Sequence, residues 1–414
     1  VTAWTPEYRI KANGDTITGI TLVGFSITSG RTDVNAQAQA GYAAIRILNL
    51  TNQVYSWGVN TSILIEVRDT TNTFVPIFGG RISDISVGVD RTGSAGTVTV
   101  LDIYALGALA KLQNAVWEGS LSKALDGAQI GIILEDLLAD NWNEVPPALT
   151  WADYDPSITW ANAVSAIGEI DTGEYEMIAR SASPVNTYSI VSDIANSGIG
   201  YLYEDASGRI SYGDASHRQD YLVINGYVNL DANDALADGI RSTTRQGDLV
   251  NDLVINYKNN FGTSYTFIDQ DSIDTYGLYA RTINSLIDDD NDAEAVAERF
   301  VSFRSTPRAK FDSITYALQN PELSDANRNS LLNVFMGMPV AISNLPANIN
   351  GGAFVGYVEG WTFRSTLSGL SLTLTLSPTE FWTIAQDWDQ VTPSLTWAAV
   401  DGTLTWQNAT GVIS

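Results

Sequence analysis

The stretch that decides the fold runs Leu331-Leu-Asn-Val-Phe-Met-Gly-Met-Pro-Val340, then Gly356-Tyr-Val-Glu-Gly-Trp361, then Ser371-Leu-Thr-Leu-Thr-Leu-Ser-Pro378. It reads as the end of a short helix, near Ala326–Phe335, followed by three strands of one small barrel. Upstream, Leu249-Val-Asn-Asp-Leu-Val-Ile-Asn-Tyr257 reads as a strand. Asp288-Asp-Asp-Asn-Asp292 then precedes a helix through about Arg304, where acidic residues suit the helix dipole and Pro307 ends the run.

The first 110 residues read as strands as well. Ile17-Thr-Gly-Ile-Thr-Leu-Val-Gly-Phe-Ser-Ile27, Ala43–Leu50, Ser62–Arg68, Ile77–Val87 and Thr97–Tyr104 are β-rich, with partial or clear alternation and turn residues between them. Five or six strands at this spacing predict a small barrel or sandwich. The middle of the chain differs. Ala128–Ala139 carries apolar residues at helical spacing, with Asp126 where an N-cap belongs. Ser192–Ser197 reads as a second short helix ended by Gly198. Gly200–Tyr212 reads as a hairpin turning at Asp205-Ala-Ser-Gly208. The sequence therefore predicts a mainly β protein with an α+β insertion. The expected boundaries are 1–110 for a first barrel, 111–240 for the insertion, 241–382 for a second barrel, and 383–414 for a C-terminal ribbon.

That ribbon repeats an earlier segment. Val145-Pro-Pro-Ala-Leu-Thr-Trp-Ala-Asp-Tyr-Asp-Pro-Ser-Ile-Thr-Trp-Ala-Asn-Ala163 matches Val391–Ala409 at 11 of 19 positions, at a constant offset of 246. Trp151 and Trp160 correspond to Trp397 and Trp406. Each copy reads as a β-hairpin or bent ribbon with Trp on both arms. Trp is enriched at interfaces, so these four are the candidate interaction residues.

Charge limits the partners. Lys plus Arg is 22 and Asp plus Glu is 47, giving 22 − 47 = −25. Such an excess disfavours binding to nucleic-acid phosphates and to anionic membranes, and it also favours solubility. There is no cysteine, which removes disulfides and thiolate metal sites. The single histidine, His217, removes any two-His metal site and most His-based catalysis. It lies in a polar stretch beside Arg218 and reads as a surface residue without an evident partner. No apolar run approaches the roughly 18 residues that would span a bilayer. The opening Val1-Thr-Ala-Trp-Thr-Pro-Glu7 shows neither the basic nor the apolar region of a signal peptide, and a cleaved one would leave no trace.

No catalytic, cofactor-binding or metal-binding residues are assigned. Candidate carboxylate pairs are too numerous among 47 acids to inform. The Asp288–Asp292 cluster lacks EF-hand spacing, and capping plus solvated charge accounts for it. The pentad Asp269-Gln-Asp-Ser-Ile273 carries the same choice between ion and cap. No nucleophile elbow, zinc-protease, Walker or dinucleotide motif occurs.

From about Asp248 to Trp382 the chain resembles the second barrel of phage tail-tip, or baseplate, hub proteins. The resemblance is carried, in order, by Leu253-Val-Ile-Asn-Tyr257, Asp271–Gly277, Ala293–Phe300, Arg304-Ser-Thr-Pro307, Gly337-Met-Pro-Val340, Val358-Glu-Gly-Trp361 and Thr373–Pro378. It implies two tail-tube-like β-barrels, with residues 1–110 as the first, related barrel and an inserted domain between them. It further implies a non-enzymatic homotrimer whose six barrels form a pseudo-six-fold ring. That ring would join the hexameric tail tube above to the three-fold tip below, at the distal tail tip of the virion. The implied partners are a tail-tube or distal tail protein, a central tip or fibre protein, and the tape measure protein. DNA would pass through an acidic channel without specific binding, and a basic lumen would trap it. Residues 383–414 are less typical of the family and read as an arm docking on a neighbour. Two other readings compete. One is a secreted or virion carbohydrate-binding protein or glycoside hydrolase using the Trp residues as sugar platforms, and the other is a cell-surface adhesin.

Overall fold

The computed structural model describes residues 4–91, 96–137, 170–258, 263–366 and 369–382. Its frame is one 13-stranded sheet. In spatial order, eleven strands run Arg241–Thr244, Ala309–Ala317, Gly369–Pro378, Phe354–Thr366, Thr21–Gly30, Tyr42–Asn49, Val98–Leu106, Phe74–Arg91, Ser62–Arg68, Tyr8–Ala12 and Asp15–Thr16. The other two branch off: Pro339–Ser343 pairs with Phe354–Thr366, and Val228–Asp231 pairs in parallel with Pro339–Ser343. The protein is mainly β, as its alternating segments predict. The strands form an open sheet, and no closed barrel is present among the described residues.

Alternation explains why these strands form and which way they face. In Gly369–Pro378, Leu370, Leu372, Leu374 and Leu376 are buried while Ser371, Thr373 and Thr375 are half-buried. The pattern holds across the sheet in register. Tyr316, Leu372, Phe363, Ile27, Ala43, Ala105 and Ile82 form one cross-strand row, and every member is buried. This row is the floor of the core.

The two halves of the chain meet in backbone pairing. Phe354–Thr366 is shared on one side between two strands. Its first residues pair with Pro339–Ser343, and Gly360–Arg364 pair with Ser26–Gly30 of the N-terminal half. The crossover requires a close approach. Gly30 has φ +83°, and a Cβ there would stand 2.3 Å from the Glu359 carbonyl oxygen and 2.6 Å from Gly360 Cα. Gly30→Ala adds both a strained backbone and a backbone overlap. It should cost about 2–4 kcal/mol, read as a fall in the urea midpoint at unchanged slope.

Around this sheet lie the helical parts. Helix Thr187–Ser197, capped by Asn186 accepting from Ser189 N, packs against helices Asp126–Asp136 and Leu109–Gln113. Tyr201–Glu204 and Ile210–Gly213 form the expected hairpin, turned by Asp205 and by Gly208 at φ +84°. Asp252–Asn256 is a strand, but it lies in a separate three-stranded sheet with Ser264–Ile268 and Ala280–Asn284. Helix Asp290–Arg304 packs against that small sheet. Its N-cap is Asp289, which accepts from Asn291 N. Among the described residues no helix is long and apolar enough to cross a membrane.

Candidate functional site

Trp151, Trp160, Trp397 and Trp406, the interaction residues expected from the sequence, lie outside the described residues. The described structure offers two other features that can carry function: the polar face of the large sheet, and a buried ionic joint at the seam between its halves.

The polar face follows from the same alternation that builds the core. One residue along from the buried row, Thr315, Thr373, Thr362, Thr28 and Tyr42 stand side by side on five strands. Thr28 and Thr362 share a hydroxyl hydrogen bond of 3.2 Å, and Thr315 and Thr373 one of 2.9 Å. Two residues further, Ala317, Ser371, Arg364, Ser26, Ala44, Tyr104 and Asp84 extend the row to seven strands. None of these residues is buried. The face is rich in hydroxyls and crosses the seam without interruption. A cleft of about 510 Å³ opens beside Gly24, Ala44, Tyr104 and Ser365, with Arg46 3.7 Å from Asp102. Asp102 is the one acid lining that cleft, so it does not supply the pair of carboxylates that glycoside hydrolysis needs.

Glu359 occupies the seam. A bulge between Val358 and Gly360 interrupts the register of Phe354–Thr366 at this residue. Glu359 is 1% exposed. Its Oε2 accepts from Arg31 Nε at 2.7 Å, and its Oε1 accepts from Arg218 Nη1 at 2.7 Å. Arg218 Nη2 adds a second bond to Oε2 at 3.1 Å, and the Ser377 hydroxyl donates to Oε1. Burial alone would raise the pKa of this carboxyl. The Arg218 and Arg31 guanidiniums and the Ser377 bond outweigh burial and hold it at about 2. Trp382 closes the joint. Its Nε1 donates to Ser377 Oγ at 2.8 Å, and its ring lies within 4.9 Å of Arg31, 4.3 Å of Arg218 and 5.1 Å of Arg304. Burial lowers the Arg304 pKa to about 9. The joint thus ties residues just after the strand Thr21–Gly30, the helix His217–Asn225 and the two strands near the C-terminal end of the described chain. Its carboxylate is fully engaged by donors, and no group within it is placed to act as nucleophile or base.

A second buried carboxylate fastens the hairpin to the sheet. Glu204 accepts from Gly41 N at 2.5 Å and Leu109 N at 3.0 Å. Burial outweighs these bonds and raises its pKa to about 7. A Cβ on Gly107 or Gly41 would fall 2.0 or 2.3 Å from Glu204 Oε1, so the two glycines make room for the acid.

Two sequence readings are corrected here. His217 is neither a free surface residue nor without a partner. Its Nδ1 lies 2.7 Å from Asp171 Oδ2, and its ring stands edge-on to Tyr201. Asp126 is the first residue of its helix, not the cap, and is fully buried. It accepts from Tyr175 N and from the Tyr212 hydroxyl, and burial raises its pKa to about 6.

The acidic clusters behave as capping and paired charge. Asp288 bonds Lys123 at 2.8 Å, Asp290 pairs with Lys258, and Asp292 accepts from Glu176 N at 2.9 Å. Asp269 caps Gln270–Tyr276. Among the described residues, no group of three or more acids or histidines is arranged to hold a metal ion.

The sequence alone gives Glu359, within Val358-Glu-Gly-Trp361, no role. Its signal was a lone acid in an apolar strand, followed by glycine, which is the composition of a bulge.

No family model matches the sequence, and no curated protein does. Solved structures do match in shape. The 43 kDa tail protein of prophage MuSo2 from Shewanella oneidensis is similar over 91% of this chain and 99% of its own, at TM-score 0.55 and 10% identity. A tail protein from Neisseria meningitidis MC58 is similar over 92% of this chain and 98% of its own, at TM-score 0.56 and 12% identity. At such identities the likeness speaks for fold over nearly the whole length, and the chain has the fold of these phage tail proteins.

Proposed function

We propose that this chain is a structural, non-enzymatic subunit of a phage tail, and that three copies form the ring joining the tail tube to the tip. The observation that carries this reading is the single polar face running over seven strands and across the seam, on a fold shared with phage tail proteins. Turned inward, that face would line a channel with hydroxyls and with Arg46 and Arg364 beside Asp84 and Asp102, so that the lumen is polar and balanced in charge instead of acidic as the sequence suggests. Such a surface offers a passing DNA backbone no row of cations to grip. In this reading residues 1–110 and 241–382 supply the two tube-like units, 111–240 is the inserted domain and 383–414 the docking arm. The distal tail tip is the proposed location, with tube and tip proteins as neighbours.

A trimer would carry 3 × −25 = −75 at neutral pH. Its assembly should therefore strengthen as salt screens the repulsion, between about 0.01 and 0.15 M. Sedimentation at these two ionic strengths checks that. Gold-labelled antibody on intact particles tests the location: label confined to one tail end is the expected result, and label absent from particles overturns the reading.

A further inference from the structure

The strand Phe74–Arg91 is far longer than the partner on its outer side. Ser62–Arg68 pairs with it only as far as Arg81, and Asn60 and Thr61 add two backbone bonds at Ile82. Beyond that point, residues 84–91 pair inward with Val98–Tyr104 and have no outer partner among the described residues. Between its acidic ends this open edge carries no lysine, no proline and no covering element among the described residues. Val87 is 67% exposed and Val89 63%, on the same face of the strand as half-buried Ile85. Proteins usually protect such an edge with lysine, proline or a covering element, because a long apolar edge recruits other strands. Bulges stand only at its two ends, between Ile82 and Asp84 and between Val89 and Arg91.

The opposite end of the sheet has the complementary character. Its terminal strand Arg241–Thr244 is short and polar, and its outer side is also unpaired among the described residues. Arg241 and Arg245 stand 78% and 51% exposed and share one carboxylate, Asp312, at 3.9 and 3.2 Å. Two guanidiniums on one acid leave this edge locally positive. The open edge of residues 84–91 carries the exposed acids Asp84 and Asp90.

We infer that residues 84–91 of one copy pair, strand to strand, with Arg241–Thr244 of a second copy. The contact joins unlike edges, and it closes a three-membered ring when the rotation between successive copies is three-fold. Backbone hydrogen bonds supply the attraction, and the Arg241 and Arg245 charges facing Asp84 and Asp90 set the orientation. The polar sheet face would then continue from one subunit to the next. This inference rests on the ring proposed above.

The absence of cysteine makes the test direct. Thr243→Cys is combined with Ser86→Cys or with Gly88→Cys in the full chain, since a disulfide forms only where Cα atoms come within about 7 Å. Mild oxidation of the assembled protein should give covalent dimers and trimers on a denaturing gel for at least one pair, and none for the single variants. A separate arm uses charge. Arg241→Glu with Arg245→Glu should weaken assembly about tenfold or more, and adding Asp84→Arg with Asp90→Arg should restore it. Trimers in sedimentation that yield no disulfide and no charge rescue overturn this strand pairing and leave the ring standing. A chain that stays monomeric at all concentrations overturns the ring, and the pairing with it.

Discussion

Glu359→Gln should lower the free energy of unfolding by about 3–5 kcal/mol, the usual cost of removing one partner from a buried ion pair. The substitution keeps shape and volume while deleting the charge. Arg31 and Arg218 are 7% and 3% exposed, so neither guanidinium can turn to water when its counter-charge is gone. Glutamine also presents an amide NH2 where the carboxylate accepted, placing donor against donor. A urea titration measures the loss. A change below about 1 kcal/mol would show that the joint is incidental to stability. Arg31→Met with Arg218→Met and Glu359→Leu is the informative companion. Replacing the whole cluster with apolar groups removes the charge burial as well as the attraction, and should recover much of the loss.

The stability of the protein should pass through a maximum on the acid side of neutrality. Glu204 has a folded pKa of about 7, above its ordinary 4.5, because burial penalises its charge. In that interval the folded form keeps a proton that the unfolded form has released. The group's favourable contribution is therefore complete below about 4.5 and is lost as pH rises towards 7, by about 3 kcal/mol. Asp126, raised to about 6 by burial, adds a change of the same sign over a lower window. Glu359 works in the opposite sense. Its pKa is depressed to about 2, so its contribution is present above 4.5 and fades as pH falls through 2. Thermal unfolding between pH 3 and 8 should show both limbs. Glu204→Gln should flatten the limb between 5 and 8. If the slope there is unchanged in that variant, the general repulsion among 47 acids, not Glu204, sets it.

Local features of the fold were legible in the sequence. The alternation in Gly369–Pro378, the Asp205–Gly208 turn and the acid-capped helix ending at Arg304 all show in the residues themselves, because each is decided within a few positions. Pairing at long range was not legible. Nothing in Ser26–Gly30 announces that its partner lies more than 300 residues later, and Asp252–Asn256 alternates as well for a small separate sheet as for the large one. Tyr8–Ala12 escaped notice because Arg9 and Lys11 give it a polar look, and their reason for being there is Glu66 across the strand pair. Asp126 and His217 were misread for a related cause. Asp126 looked like a cap because position alone suggested one, whereas its Tyr212 partner arrives from 86 residues away. The partner of His217, Asp171, lies 46 residues back along the chain. The expected Trp contacts fall where the structure gives no description.

Because one strand, Phe354–Thr366, is held by both halves of the chain, no hinge separates them among the described residues. Rotating one half against the other would mean breaking backbone hydrogen bonds along Gly360–Arg364, not sliding side chains past each other. A pull on either half is therefore passed straight to the other. Any opening of an assembly built from such rigid pieces must take place at the boundaries between subunits.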